Sequence, residues 1–213
     1  MKALVTGFDP FGGETLNPSL EAIRLLPKSL GALQIVTQRL PSKFETSLPM
    51  LYAAIVREQP DIVLCLGEAG SRVDLSPERV AINVRDARIR DNAGDQPVDV
   101  AVVEGGPAAY FSTLPIKAAA AAMRAAGVPV AVSNTAGTFV CNHVFYGLMH
   151  YAAIHKARFR GGFMHVPYLP AQAAHHAKAP SMAVEVIVRG VEIMLQVSAT
   201  TSVDLRLTEG ETA

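Results

Sequence analysis

Asp61-Ile-Val-Leu-Cys-Leu66 sets five apolar residues in a row behind one aspartate. A run of that length without polar alternation predicts a strand covered on both faces, the kind found in parallel sheets flanked by helices. Outward from it, strand-like runs recur at Lys2 to Thr6, Leu33 to Leu40, Val80 to Val84, Val128 to Ser133 and Gly162 to Val166. Helical segments fall between them. Asn17-Pro18 opens one, with Asn as N-cap and Pro at the first helical position, and Pro27 closes it. Phe44 to Glu58 is a second, with Pro49 expected in its first turn or at a kink. An Ala-rich helix around Ala118 to Ala122 ends at Gly127 and Pro129. Val140 to His155 and Ser181 to Val197 complete the set. This alternation predicts an α/β fold, a three-layer α/β/α sandwich whose mixed, mainly parallel sheet carries helices on both faces.

No Ser/Gly linker or internal repeat divides the 213 residues, so 1–213 is read as one domain. The polar stretch from about 199 to 213 is expected to be a frayed tail. Half the residues are apolar and 18% are charged, enough for a full core. Lys plus Arg and Asp plus Glu are 19 each, a balance that argues against nucleic acid or an anionic membrane as partner. The apolar run after Met1-Lys2 is too short for a signal-peptide core, and no stretch approaches the ~20 apolar residues of a membrane span. Two cysteines do not make a disulfide framework, so both thiols are expected free in a reducing cytoplasm.

The two thiols have different surroundings. Cys65 lies mid-strand between Leu64 and Leu66 and reads as core. Cys141 follows a turn of small residues, Ser133-Asn-Thr-Ala-Gly-Thr138, and opens a helix patterned by Val144, Phe145, Leu148, Met149 and Ala152. With Thr138 as N-cap, Cys141 falls in the first turn. Unpaired N–H groups and the helix dipole there favour a thiolate and can hold an oxyanion. Among six histidines, His165 lies at the C-terminal end of a strand, where ligands of open α/β sheets gather. It can meet Cys141 at one sheet edge. His143 is two positions from Cys141 and faces elsewhere, while His150, His155, His175 and His176 read as surface. An acid that orients His165 could be Glu68, Asp74, Glu78 or Asp86, and composition alone does not choose.

Five motifs, taken together, resemble the pyroglutamyl-peptidase I (pyrrolidone-carboxylate peptidase) family. They are Thr6-Gly-Phe-Asp-Pro-Phe-Gly-Gly-Glu14 with Asn17-Pro18, Glu78-Arg-Val-Ala-Ile-Asn83, Gly105-Gly-Pro-Ala-Ala-Tyr110 with Leu114-Pro-Ile-Lys117, Asn134-Thr-Ala-Gly-Thr-Phe-Val-Cys-Asn-His143 and His165-Val-Pro-Tyr168. The likeness runs from about Lys2 to about Gln172. It implies a catalytic triad of Cys141, His165 and Glu78, no cofactor, no metal, and commonly a homotetramer acting on N-terminally pyroglutamylated peptides. It also implies that Phe8, Phe11 and Phe139 enclose the pyroglutamyl ring, with Asn17 as a polar partner and Arg88 nearby. Against the family pattern, Glu68 stands where Gln is usual, Ser71 where Gly is usual and Arg90 where Pro is usual. Glu68 is expected to reach the ring N–H, its charge offset by Arg72 or Arg88. Other readings of the residues are a Cys–His–Glu hydrolase of a different amide or lactam, a non-catalytic binding domain, and a metal enzyme using His143, His150 or His155.

Overall fold

The computed structural model describes residues 1–210. Its main sheet has six strands: β1 (Lys2–Phe8), β2 (Ser29–Leu30), β3 (Leu33–Leu40), β4 (Ile62–Glu68), β5 (Ser76–Pro77) and β8 (Arg160–Val166). Their order is β2-β3-β1-β4-β8-β5, with β3, β1, β4 and β8 parallel and the two short edge strands antiparallel. A two-stranded antiparallel ribbon pairs β6 (Val80–Ile82) with β7 (Ala109–Phe111). The sheet is mixed and mainly parallel, as the sequence predicts.

The continuous apolar runs have a direct use. In β4, Ile62, Leu64 and Leu66 enter one core, while Val63 and Cys65 enter the other. The first core is closed by α1 (Pro18–Leu25), α3 (Ile116–Ala125) and α6 (Val184–Thr200). The second is closed by α2 (Phe44–Glu58) and α4 (Val140–Ile154). A four-residue helix, α5 (Pro170–Ala173), follows β8.

Several expectations need correction. Val128 to Ser133 forms no strand; it makes only isolated parallel bridges, Leu75 with Val130 and Glu78 with Ser133. Pro129 there offers a carbonyl but no N–H. Pro49 sits in the second turn of α2, neither in the first turn nor at a break. The missing α2 cap comes from elsewhere: Asp91 Oδ2 accepts the Phe44 N–H at 2.8 Å. Thr138 does not cap α4. The N-cap is Phe139, without a side-chain bond, and Thr138 Oγ1 donates to Asp86 O instead.

Beyond α6, Asp204 accepts the N–H groups of Lys117 and Ala118 at the start of α3, and Glu209 pairs with Arg124. The end of the stretch expected to fray, 211–213, lies outside the described residues.

Candidate active site

The carboxyl ends of the parallel strands converge on one edge. Phe8 ends β1, Glu68 ends β4, and His165 is the penultimate residue of β8. On β8 the side chains alternate: Met164 and Val166 enter the first core, while Phe163 enters the second, so His165 faces the α4 side with Phe163. Its register partner on β4 is Gly67. A Cβ built on Gly67 would stand 2.7 Å from Cys141 Sγ and 2.6 Å from Phe163 Cζ. Gly67 is thus the opening through which the α4 cysteine reaches the strand that pairs with His165.

Glu78 arrives by a different route. The two-residue strand β5 pairs antiparallel with β8, Ser76 against His165 and Pro77 against Met164. The Glu78 N–H then donates to Phe163 O at 2.9 Å. This brings Glu78 Oε1 to 2.7 Å from His165 Nδ1. A carboxylate can only accept, so Nδ1 carries the proton and Nε2 is the free ring acceptor. Glu78 is wholly buried and His165 is 4% exposed.

Cys141 is the second residue of α4 and keeps partial exposure, whereas Cys65 has none. The Cys141 thiol is pushed well above its ordinary range, first by burial and then by the charges of Glu68 and Glu78; Arg72 opposes them. The resting group is therefore the thiol. Asn142, next in sequence, fixes the helix start: its Oδ1 accepts from Ile82 N, and its Nδ2 donates to Ile82 O and Val84 O. Sequence reading missed this residue, although a polar side chain beside a nucleophile and ahead of an apolar helix face was a signal.

A small cavity beside Sγ is lined by Phe8, Phe11, Asn17, Ser42, Glu68, Phe139, Val140 and Cys141. The rings of Phe11 and Phe139 lie 5.8 Å apart, and Phe44 meets Phe139 edge-on at 5.4 Å. Asn17 Oδ1 accepts from Ser19 N and Ser19 Oγ, and its Nδ2 donates to Asp9 O, which leaves one N–H of the amide for a ligand. Arg88 does not line this cavity. It borders an outer cleft with Glu14, Ser71, Tyr168 and His176, which shares Phe11 and Glu68 with the inner one.

Glu68 departs from expectation in its partners. Neither arginine offsets it: Arg72 pairs with Glu78. Instead Glu68 Oε2 accepts from Gln172 Nε2 at 3.0 Å. Burial pushes its carboxyl up to about 7, aided by Glu14 and opposed by the Gln172 bond and by His176. His176 is no free surface residue, since its Nε2 meets Glu14 Oε1 at 2.6 Å and its ring stacks on Tyr168. Ser71 is not among the described non-glycine residues with positive φ, so it occupies its position without backbone strain. Arg90 donates to Gly94 O and faces solvent.

His175 is exposed, and the three histidines of the α4 region are held elsewhere. His143 is buried against Phe44, and burial takes its pKa down to about 4. His150 Nδ1 pairs with the Tyr110 hydroxyl, and His155 packs on Tyr151.

A family model described as pyroglutamyl peptidase matches residues 1–201. The chain belongs to that family. It is a cysteine peptidase of the type that removes an N-terminal pyroglutamyl residue. Among its relatives, the pyrrolidone-carboxylate peptidase of Erwinia tasmaniensis is 56% identical over 212 residues, 99% of each chain. The crystal structure of pyroglutamyl peptidase I from Bacillus amyloliquefaciens superposes with a TM-score of 0.94 at 48% identity, covering 97% of this chain and 99% of the other. The pyrrolidone carboxyl peptidase of Thermococcus litoralis gives 0.92 at 33% identity, covering 97% and 99%. Membership decides among the alternative readings of the sequence in favour of the peptidase.

Proposed function

We propose that this peptidase acts through Cys141 as nucleophile, His165 as general base and acid, and Glu78 as the orienting acid. The observation that carries the assignment is the 2.7 Å contact of Glu78 Oε1 with His165 Nδ1 on the strand whose register partner, Gly67, lies against Cys141 Sγ. Because the resting thiol holds its proton, His165 Nε2 takes it as Sγ attacks the carbonyl that follows the pyroglutamyl ring. The oxyanion formed is stabilised by N–H groups of the first turn of α4, which lack intrahelical partners. Collapse breaks the amide bond. The leaving amine takes the proton from His165, and the pyroglutamyl group remains as a thioester on Cys141. His165 then deprotonates a water that attacks the thioester, and pyroglutamate leaves as the thiol reforms. Glu78 stabilises the imidazolium in both halves.

The ring sits among Phe8, Phe11 and Phe139, with Asn17 and Glu68 as its polar contacts and Arg88 toward the departing peptide. A small, uncharged lactam suits apolar walls with few polar groups. The whole chain, 1–213, acts as one domain in the cytoplasm and assembles as a homotetramer. The balanced charge, the free thiols and the family resemblance support that reading, and no helix among the described residues is long and apolar enough to cross a membrane.

The test compares pyroglutamyl and prolyl chromogenic amides. The prolyl analogue lacks the ring carbonyl and brings a charged amine that an apolar pocket must desolvate, so its kcat/KM should fall by a factor of about 100 or more. In Glu78→Gln, kcat should drop roughly 100-fold or more while KM changes little, since the amide orients His165 without stabilising its cation. Unchanged kcat would remove Glu78 from the mechanism.

A further inference from the structure

One oxygen of Glu78 does all of its side-chain bonding. Oε1 accepts from both His165 Nδ1 and Arg72 Nη1, each at 2.7 Å, while Oε2 is buried without a partner among the described residues. A carboxylate taken out of water stays ionised only if a cation or several donors compensate it. Here that cation is Arg72, whose side chain is 25% exposed and whose carboxylate partner is wholly enclosed.

Arg72 also reaches past the acid. Its Nη2 donates to Thr135 O at 2.8 Å, in the turn that leads into α4 and Cys141. At its other end, the Arg72 N–H closes a turn onto Ala69 O, and the Ala69 N–H donates to Val166 O just beyond His165. One planar fork therefore joins the acid to the backbone turn before the nucleophile, from a loop anchored beside the base. Two donors at fixed spacing make this a task for arginine rather than for a point-charge ammonium.

We propose that Arg72 is a positioning residue of the reaction: it holds the Glu78 carboxylate against His165 and fixes the turn that presents Cys141. This rests on the triad assigned above. The electrostatics agree, since the thiol raised by burial, Glu68 and Glu78 is lowered by Arg72. Removing the guanidinium frees the Glu78 carboxylate from one of its two partners and takes a cation away from the forming thiolate. The loss at the thiolate demands a higher pH for the reactive state.

The experiment uses the full chain and one pyroglutamyl chromogenic amide, with kcat and KM measured across pH. In parallel, the pH dependence of iodoacetamide alkylation at Cys141 reads the thiol without turnover. Arg72→Met should lose roughly 10- to 100-fold in kcat, with KM within about twofold. The acidic limb of kcat/KM and the alkylation curve should both move to higher pH. Arg72→Lys restores the charge but not the fork, so it should recover part of the kcat and most of the limb. An arginine that merely ties two loops together would instead lower Tm and raise KM, with limb and alkylation curve unmoved, and that result overturns the proposal. If Arg72→Met does not fold, Arg72→Lys decides: lowered kcat supports the role, and wild-type kcat with a wild-type profile refutes it. Cys141→Ala and His165→Ala run alongside. Activity in those two would defeat the triad itself; inactivity in both, with full kcat in Arg72→Met, would defeat the Arg72 role alone.

Discussion

Cys65 and Cys141 serve the same side of the sheet, one inside β4 and the other at the start of α4, and burial raises both thiols. Cys65 is pushed up to about 12 by burial, partly relieved by Thr6, its register partner on β1. Cys141 is raised as well, with two carboxylates adding to burial. Resting acidity therefore does not mark the nucleophile. Three other differences do: Cys141 keeps partial exposure, it opens a helix rather than lying mid-strand, and it rests on Gly67 beside a histidine already oriented by a buried acid. A thiol that ionises only as its proton moves to a poised base reacts when an electrophile is held beside that base.

The comparison breaks most sharply at the thiols. Cys141→Ala should reduce kcat by a factor of about 10,000 or more with the fold kept, because no second thiol among the described residues lines the cavity. Cys65→Ala should keep kcat within a few-fold and lose roughly 1 kcal/mol of stability, from a small cavity on β4 between its register partners Thr6 and Phe163. One equivalent of iodoacetamide should label Cys141 in the native protein and abolish turnover. Mass-spectrometric mapping that finds Cys65 labelled first would reverse the assignment.

A smaller effect is expected at Gly67, two residues along β4 from Cys65 and on the same face. Gly67→Ala places a methyl against Cys141 Sγ and Phe163, at 2.7 and 2.6 Å before relaxation. Either the sulfur or the ring must move. Displacing a nucleophile by about 1 Å costs up to roughly 100-fold in kcat. The circular dichroism spectrum should stay native while kcat falls, and wild-type kcat would show that Sγ has room elsewhere.

The two regions also differ in how far the sequence reveals them. β4 is legible because its apolar residues feed two cores at once, which forces an unbroken run. Cys141 is legible because a small-residue turn followed by helical periodicity marks a helix start. The acid is not. Glu78 lies 87 positions from His165 and is placed by β5, a two-residue strand too short to carry any pattern. Only the family resemblance singles it out, as it does the ring-binding phenylalanines. Val128 to Ser133 misleads for the converse reason: its β-branched residues suit a strand, but Pro77 on the facing segment has no N–H to give the ladder, and only isolated bridges form. Gln172 and His176 are invisible beforehand because their partners, Glu68 and Glu14, lie 104 and 162 positions away. The expectation that an arginine compensates Glu68 failed for another reason: Arg72 has Glu68 and Glu78 both close in sequence, and the turn between them gives it to Glu78.

The smallest expected effect concerns Glu68, the charge that stands nearest to distinguishing this thiol from that of a family member with glutamine. Its carboxyl titrates at about 7, raised by burial and by Glu14 against the Gln172 bond and His176. Below that pH it is neutral and opposes the Cys141 thiolate little; above it the negative charge pushes the thiol up. Glu68→Gln should therefore match the wild type on the acid side. Above neutrality kcat/KM should rise several-fold, with the thiolate limb shifted downward by roughly half a pKa unit. Stability gives an independent reading with its own sign. A carboxyl raised in the folded state holds its proton there while the unfolded chain has released it, so wild-type stability declines as pH rises from the ordinary carboxyl range through about 7. Glutamine has no such term. The Tm advantage of Glu68→Gln should then be larger at pH 8 than at pH 5, values chosen to lie roughly one unit or more on either side of the transition. Profiles of kcat/KM and Tm that run parallel to the wild type would show that Glu68 does not carry its charge into the site, and the acid would then leave the list of ring contacts.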